Sequence, residues 1–129
     1  MPVRGIRGAN SVESDTPEAI LKATRELLLA IVRVNPQLRP EDIASVFFSL
    51  TEDLHTEYPA YAARLLGWTQ VPLLCAREIA VPGSMASVVR VLLHWNTDLP
   101  QSAIQHVYIG RAAALRPDLR VDLQPILES

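Results

Sequence analysis

Along the first dozen residues, side-chain character alternates. In MPVRGIRGANSV, strict alternation puts Val3, Gly5, Arg7 and Ala9 on one face and Arg4, Ile6 and Gly8 on the other, which predicts a β-strand over residues 2–12. The period then changes. Ser14-Asp15-Thr16-Pro17-Glu18 is a helix start: Thr16 is placed to cap, Pro17 has the fixed φ of a first helical position, and Glu18 lies at the positive end of the dipole. Ile20, Thr24, Leu27, Ile31 and Val34 follow at helical spacing, with Leu28 widening the stripe, until Asn35-Pro36 ends the helix. Residues 43–51 (IASVFFSLT) read as a buried strand, and residues 59–67 as a short helix opened by Pro59 and closed by Gly67. Residues 70–75, 86–96 and 104–109 are strand-like, and 110–114 form a short helical turn. This order predicts an α+β fold: a mixed β-sheet with one long and one short helix packed on one face.

There is no internal repeat, low-complexity segment or linker, so the 129 residues are expected to form a single domain. No apolar run is long enough to span a bilayer. Arg4 and Arg7 interrupt any signal-peptide core, so a cytoplasmic location is expected. The single cysteine, Cys75, has no internal disulfide partner, in keeping with a reducing compartment. A net charge of −2 gives no global field for nucleic acid. Among twelve Lys+Arg, only Lys22 is lysine. A GC-rich genome produces that bias, and so does a need for planar, forked donors to anions. Only position separates the two.

In SVVRVLLHW, Val88, Arg90, Leu92 and His94 share one face and Val89, Val91, Leu93 and Trp95 the other. A guanidinium in such a run needs an anion, because leaving it unpaired costs about several kcal/mol. The anion is either a protein carboxylate or a ligand. Arg7 poses the same question: its small neighbours Gly5 and Ala9 mark either close sheet packing or room for an anion. Arg116, extended because it precedes Pro117, is either solvated beside Asp118 or part of a tail that folds over a site. Glu78 is either a surface ion pair with Arg77 or an acceptor for a substrate hydroxyl, and Tyr108 either a core aromatic or a donor to a carboxylate.

Other chemistry is thin. Gly5-Ile6-Arg7-Gly8 fits a nucleic-acid-binding GxxG pattern but falls in a strand, and no phosphate-cradling glycine loop occurs. His55, His94, His106 and Cys75 lack metal-ligand spacing, and Pro82-Gly83-Ser84 is a turn. Groups that grip carboxylates outnumber acid–base and nucleophilic groups, which points to a reaction that needs position and charge but no covalent step.

The stretches VRGIRGA at 3–9, TEDLHTEYPA at 51–60, GWTQVPLLCAREI at 67–79, VVRVLLHWNTDLPQ at 88–101 and HVYIGRAAALRPDL at 106–119 resemble the monofunctional trimeric chorismate mutases of the AroH class, and span almost the whole chain. The resemblance implies a homotrimer with a pseudo-α/β barrel core and active sites between chains. It also implies Claisen rearrangement of chorismate to prephenate in aromatic amino acid biosynthesis, with no cofactor and no metal. Carried across, Arg90 corresponds to the arginine at a carboxylate and the breaking ether oxygen, Arg7 to a second arginine on the substrate, and Tyr108 to a carboxylate donor. Glu78 and Cys75 match the pair near the ring hydroxyl, and Arg116 an arginine of a mobile C-terminal segment; residues 117–129 of this chain, polar and proline-interrupted, are for that reason expected to close over a filled cleft. Tyr58 stands where the family often has phenylalanine, and Leu73, Leu74 and Leu115 match apolar wall positions. Tyr61 replaces a charged residue of some members at the cleft mouth, with Arg64 retained one turn away. Leu74 replaces a small polar residue of some members.

Alternation makes Cys75 and Glu78 point to opposite faces of their strand, although the resemblance puts both at the ring hydroxyl; either the strand bends between them or, the favoured expectation, each serves a different cleft of the trimer. The competing readings are a non-catalytic small-molecule-binding module of the same fold and an imine-hydrolysing trimer. The second needs only one carboxylate-binding arginine, so Arg7, Arg90 and Arg116 together count against it.

Overall fold

A computed structural model of the chain describes residues 1–119. Five strands, β1 (Val3–Ser11), β2 (Ile43–Leu50), β3 (Leu73–Arg77), β4 (Val88–Asn96) and β5 (Val107–Tyr108), form one sheet in the order β3-β2-β4-β1-β5. Central β4 runs antiparallel to both β1 and β2, while β3 is parallel to β2 and β5 to β1. Helix α1 (Pro17–Val34) connects β1 to β2, and helix α2 (Ala60–Leu65) lies in the crossover to β3 that a parallel pair requires. The fold is the mixed α+β arrangement that the pattern predicts.

Both ends of α1 are fixed by side chains. Thr16 Oγ1 accepts from the Ala19 N–H at 3.2 Å, with Pro17 in the first turn. At the other end Asn35 is more than a stop signal. Its buried amide donates to the Ile31 carbonyl at 2.9 Å and to the Gln105 carbonyl at 3.0 Å, and accepts from the Gln105 N–H at 3.0 Å. Its bonds thus join the helix to the segment before β5.

The core lies between the sheet and the helices. Ile6, Val46, Phe48, Val89, Val91, Leu93 and Trp95 pack against Ile20, Leu27, Leu28 and Ile31 of α1 and against Ala60 and Ala63 of α2. The alternation in β1 and β4 therefore holds: odd positions 89–95 face the core, and Arg90, Leu92 and His94 face away. On that far face Phe47, Leu74 and Leu92 are exposed.

Two elements depart from the expected bounds. The strand predicted at 70–75 occupies 73–77, because Pro72 has no N–H to donate and the ladder begins beyond it, with the Pro72 carbonyl accepting from Val46. The strand predicted at 104–109 shrinks to two residues. Gln101–Ala103 forms a 3-10 turn, Gln105 is held by Asn35, and the His106 ring takes the Arg7 N–H. The turn expected at 110–114 is a 3-10 helix over Gly110–Leu115. Of the expected tail, Pro117–Leu119 forms another such turn and residues 120–129 lie outside the described residues.

The small residues around Arg7 differ from one another. A Cβ on Gly8 would come 2.9 Å from the Val107 carbonyl oxygen, 3.0 Å from Leu27 Cδ1 and 3.2 Å from Val91 Cγ1, so close packing accounts for this glycine. A Cβ on Gly5 would meet only Leu92 Cδ1 at 3.7 Å. Ala9 is fully buried against Val88, Tyr108 and Ala112 and leaves no gap beside Arg7. Gly8→Ala is expected to destabilise the fold by roughly 1–3 kcal/mol through overpacking, and Gly5→Ala by less than about 0.5 kcal/mol, as read from denaturant midpoints.

Candidate active site

Cross-strand register assembles a group of charged and polar side chains on the sheet face away from the helices. Arg90 pairs with Ser49 on one side and Ala9 on the other, Ala9 pairs in turn with Tyr108, and Arg7 lies opposite Leu92. Glu78 follows β3 directly, and its N–H extends the ladder by donating to the Leu50 carbonyl at 2.9 Å. Arg7, Ser49, Glu78, Arg90 and Tyr108 thus line one cleft of about 270 Å³, walled by Phe47 and Leu92.

Arg90 has an internal carboxylate and a cavity at once. Its Nε lies 3.6 Å from Glu78 Oε1, and Ser49 Oγ donates to that same oxygen at 2.5 Å. At 3.6 Å the arginine makes an ion pair but no hydrogen bond, and Nε is buried without a hydrogen-bond partner among the described residues. The protein-carboxylate reading of Arg90 is therefore met in part, by an ion pair that leaves Nε facing the cleft. For Glu78, pairing with Arg77 is wrong: the Arg77 Nη1 donates to the Thr51 and Leu54 carbonyls at 2.8 and 2.7 Å, on the other side of the strand. Arg7 is exposed in the isolated chain.

The C-terminal segment borders this cleft. Leu115 packs on the cluster of Ala9, Val88, Tyr108 and Ala112. Arg116 makes a fork with Asp118, Nε to Oδ1 at 3.1 Å and Nη2 to Oδ2 at 2.7 Å. That fork raises the Arg116 pKa and lowers that of Asp118. The pair is open to solvent and exchangeable.

Cys75 and Tyr58 lie elsewhere, in a second cleft of about 450 Å³ lined by Leu50, Leu54, residues 55–59 and Arg77. Leu73 and Cys75 pack against the helix-side core, whereas Leu74 is exposed on the far face. Burial raises the Cys75 thiol pKa against the opposing pulls of the Ala60 backbone and of Arg64, which leaves a neutral thiol. The loop carrying Tyr58 is clasped by Asp15, whose Oδ1 accepts from the His55 N–H at 2.9 Å and from the Thr56 N–H and hydroxyl at 3.2 and 2.9 Å. The single chain therefore gathers Arg7, Glu78, Arg90 and Tyr108, places Arg116 and Leu115 at their border, and leaves Cys75 and Tyr58 in a separate cleft. Ser49, Asp15 and His106 play parts that sequence reasoning missed. Ser49 becomes visible only through the β2–β4 register, and the other two through contacts across the chain.

Among the described residues no group of three or more His, Cys, Asp or Glu could hold a metal ion, and no helix is long and apolar enough to cross a membrane. A family model described as chorismate mutase type I matches residues 3–119. The chain belongs to the type I chorismate mutase family. A chorismate mutase AroH from Thermus thermophilus is 57% identical over 117 residues, covering 91% of this chain and 96% of its own length. The chorismate mutase AroH of Bacillus subtilis (strain 168) is 46% identical over 120 residues, covering 92% and 94%. The solved structure of a chorismate mutase from Clostridium thermocellum matches with a TM-score of 0.83 at 42% identity, covering 85% of this chain and 97% of that one. This type I chorismate mutase is an isomerase that rearranges chorismate to prephenate, and the non-catalytic reading of the fold is not favoured.

The hydrogen bonds to Asp15 offset the cost of its desolvation and hold its pKa below the ordinary 3.8. A depressed carboxyl pKa stabilises the folded form above the unfolded value, and the benefit is lost as pH falls through the folded value. Asp15→Ala is expected to speed hydrogen exchange at the His55 and Thr56 amides at neutral pH, with little change in the strands, as measured by mass spectrometry. Wild type should approach the variant only in strong acid.

Proposed function

We propose that the Arg7–Arg90–Tyr108–Glu78 cleft is one half of the chorismate site, and that a neighbouring copy in a homotrimer completes it. The observation that carries this reading is the buried Arg90 Nε with no hydrogen-bond partner among the described residues, beside a cavity that a second arginine shares. A dicarboxylate substrate supplies the missing acceptor. In the rearrangement the ether C–O bond breaks ahead of C–C bond formation, no proton is transferred, and negative charge grows on the ether oxygen. Arg90, fixed on the central strand, stabilises that charge more in the transition state than in the substrate. Arg7 and Tyr108 hold carboxylate, and Arg116 joins them by exchanging Asp118 for a substrate oxygen. Glu78, oriented by Ser49 and Arg90, receives the ring hydroxyl.

A millionfold acceleration corresponds to roughly 8 kcal/mol. One preorganised donor supplies about 3–4 kcal/mol. Confinement of the substrate in its compact diaxial form supplies much of the rest.

The trimer is supported by the division of the family-matched positions. Cys75 and Tyr58 line one cleft, with Leu73 packed on the helix-side core and Arg64 near the thiol, while Glu78 lies toward the other face of β3, as alternation requires. One cleft then joins Cys75, Tyr58 and Arg64 of one chain to Glu78, Arg90 and Arg7 of the next. Exposed Phe47, Leu74 and Leu92 give the far face an apolar surface to bury between copies. A cytoplasmic location suits this reading.

Loss of the chorismate enol-ether absorbance tests the mechanism. Arg90→Ala is expected to lower kcat/KM at least about 10²–10³-fold, and Arg90→Lys to remain severely impaired because lysine lacks the fork. Wild-type turnover by Arg90→Ala would discard the mechanism. Shared clefts have their own test: two nearly inactive variants, Arg90→Ala and Arg64→Ala, should recover activity when mixed and reassembled, because mixed trimers contain some clefts with both native halves. Failure of exchanged mixtures to recover activity would refute the shared cleft.

A further inference from the structure

Three residues along the outer edge of β1 turn their backbone groups away from β4, and each meets a different kind of partner. The Ala9 carbonyl accepts from the Ile109 N–H at 3.0 Å, an ordinary strand contact. Gly5 meets a side-chain amide instead: its N–H donates to Gln101 Oε1 at 3.0 Å, and its carbonyl accepts from Gln101 Nε2 at 2.7 Å. Arg7 lies between them, beyond the end of the β1–β5 ladder. Its N–H donates to His106 Nδ1 at 2.9 Å. To accept, Nδ1 must carry no proton, so the imidazole proton sits on Nε2.

We propose that His106 is a positioning residue for substrate binding: its Nδ1 fixes the stretch of backbone from which Arg7 projects, and protonation of the ring releases it. The inference rests on the reading of Arg7 as a carboxylate ligand. The charged groups around the ring are Arg7 of β1 and, in the C-terminal segment, Arg116 with its partner Asp118. Burial, and then the charges of Arg7 and Arg116, hold the His106 pKa below its ordinary value, so the ring is neutral and accepting at neutral pH. Once pH falls through that lowered value, Nδ1 gains a proton. Two donors then face each other where one hydrogen bond had been, and a third cation crowds Arg7 and Arg116. The bond is local, on an edge whose other contacts remain, so its loss moves Arg7 without unfolding the sheet.

The test is steady-state kinetics of the assembled enzyme on chorismate, from above the ordinary histidine value of about 6.5 to well below it. The variants are His106→Asn, which keeps an acceptor oxygen but cannot titrate, His106→Leu, which has no acceptor, and Arg7→Ala. Wild-type KM is expected to rise roughly tenfold on acidification, the equivalent of one lost hydrogen bond, while kcat changes much less. His106→Asn should keep KM within a few-fold of wild type at neutral pH and stay flat on acidification. His106→Leu should show the raised KM at every pH. An acid rise in His106→Asn as steep as in wild type would overturn the proposal, as would a wild-type KM that is flat or falls in acid. If His106→Leu does not fold, the wild-type and Asn series still decide. Unchanged KM in Arg7→Ala would instead remove the reading of Arg7 itself. Raised KM in Arg7→Ala, with His106→Leu like wild type, would remove only the role of His106.

Discussion

The molecule is organised around one positive charge mounted at the middle of its sheet. Arg90 projects from the central strand, flanked in register by Ser49 and Ala9, and its Nε is buried with an ion-pair contact to Glu78 but no hydrogen bond. A guanidinium so held is costly to leave unsatisfied and costly to move. In the proposed reaction both costs are put to use. The unmet donor favours an anion in the cleft, and the rigid strand keeps the charge from following the substrate rather than the transition state. Ser49 matters because it holds the oxygen of Glu78 nearest Arg90. Without that hydrogen bond the carboxylate would be freer to satisfy the arginine itself.

Much of this was legible in the chain. The alternation around Arg90 fixed which neighbours share its face, and Thr16-Pro17 with Asn35-Pro36 bounded the long helix, because those signals are local. The parity of β3 likewise placed Cys75 and Glu78 on opposite faces. What was not legible depends on contacts between distant residues. Glycines 5 and 8 look alike in sequence, yet only Gly8 lies under Leu27 and against the Val107 carbonyl. In sequence Glu78 has Arg77 beside it as a candidate partner, and only the strand register brings Arg90 to it instead. The strand expected at 104–109 failed because hydrogen bonds that a strand would have made are made by the side chains of Asn35, Gln101 and His106. A hydrophobic pattern carries no information about such substitutions.

The placement of the site relative to the core also has a physical logic. Helices cover one face of the sheet and leave the other open, so the large residues that stabilise the fold and the charged residues that line the cleft occupy opposite faces of the same strands. Substitution of Arg90 then leaves the helix-side packing in place. The charged face stays dry only if something covers it, and the apolar side chains of Phe47, Leu74 and Leu92 around Arg90 make a second copy of the chain a suitable cover.

Asn35 joins two regions that appear separate. Its amide grips the last turn of α1 at Ile31 and the strand-like segment at Gln105, one residue before the imidazole that meets Arg7. Thermal fraying of the helix end and slackening of the β1 edge are consequently coupled. The thermal resilience of that edge is therefore set in part at a helix terminus.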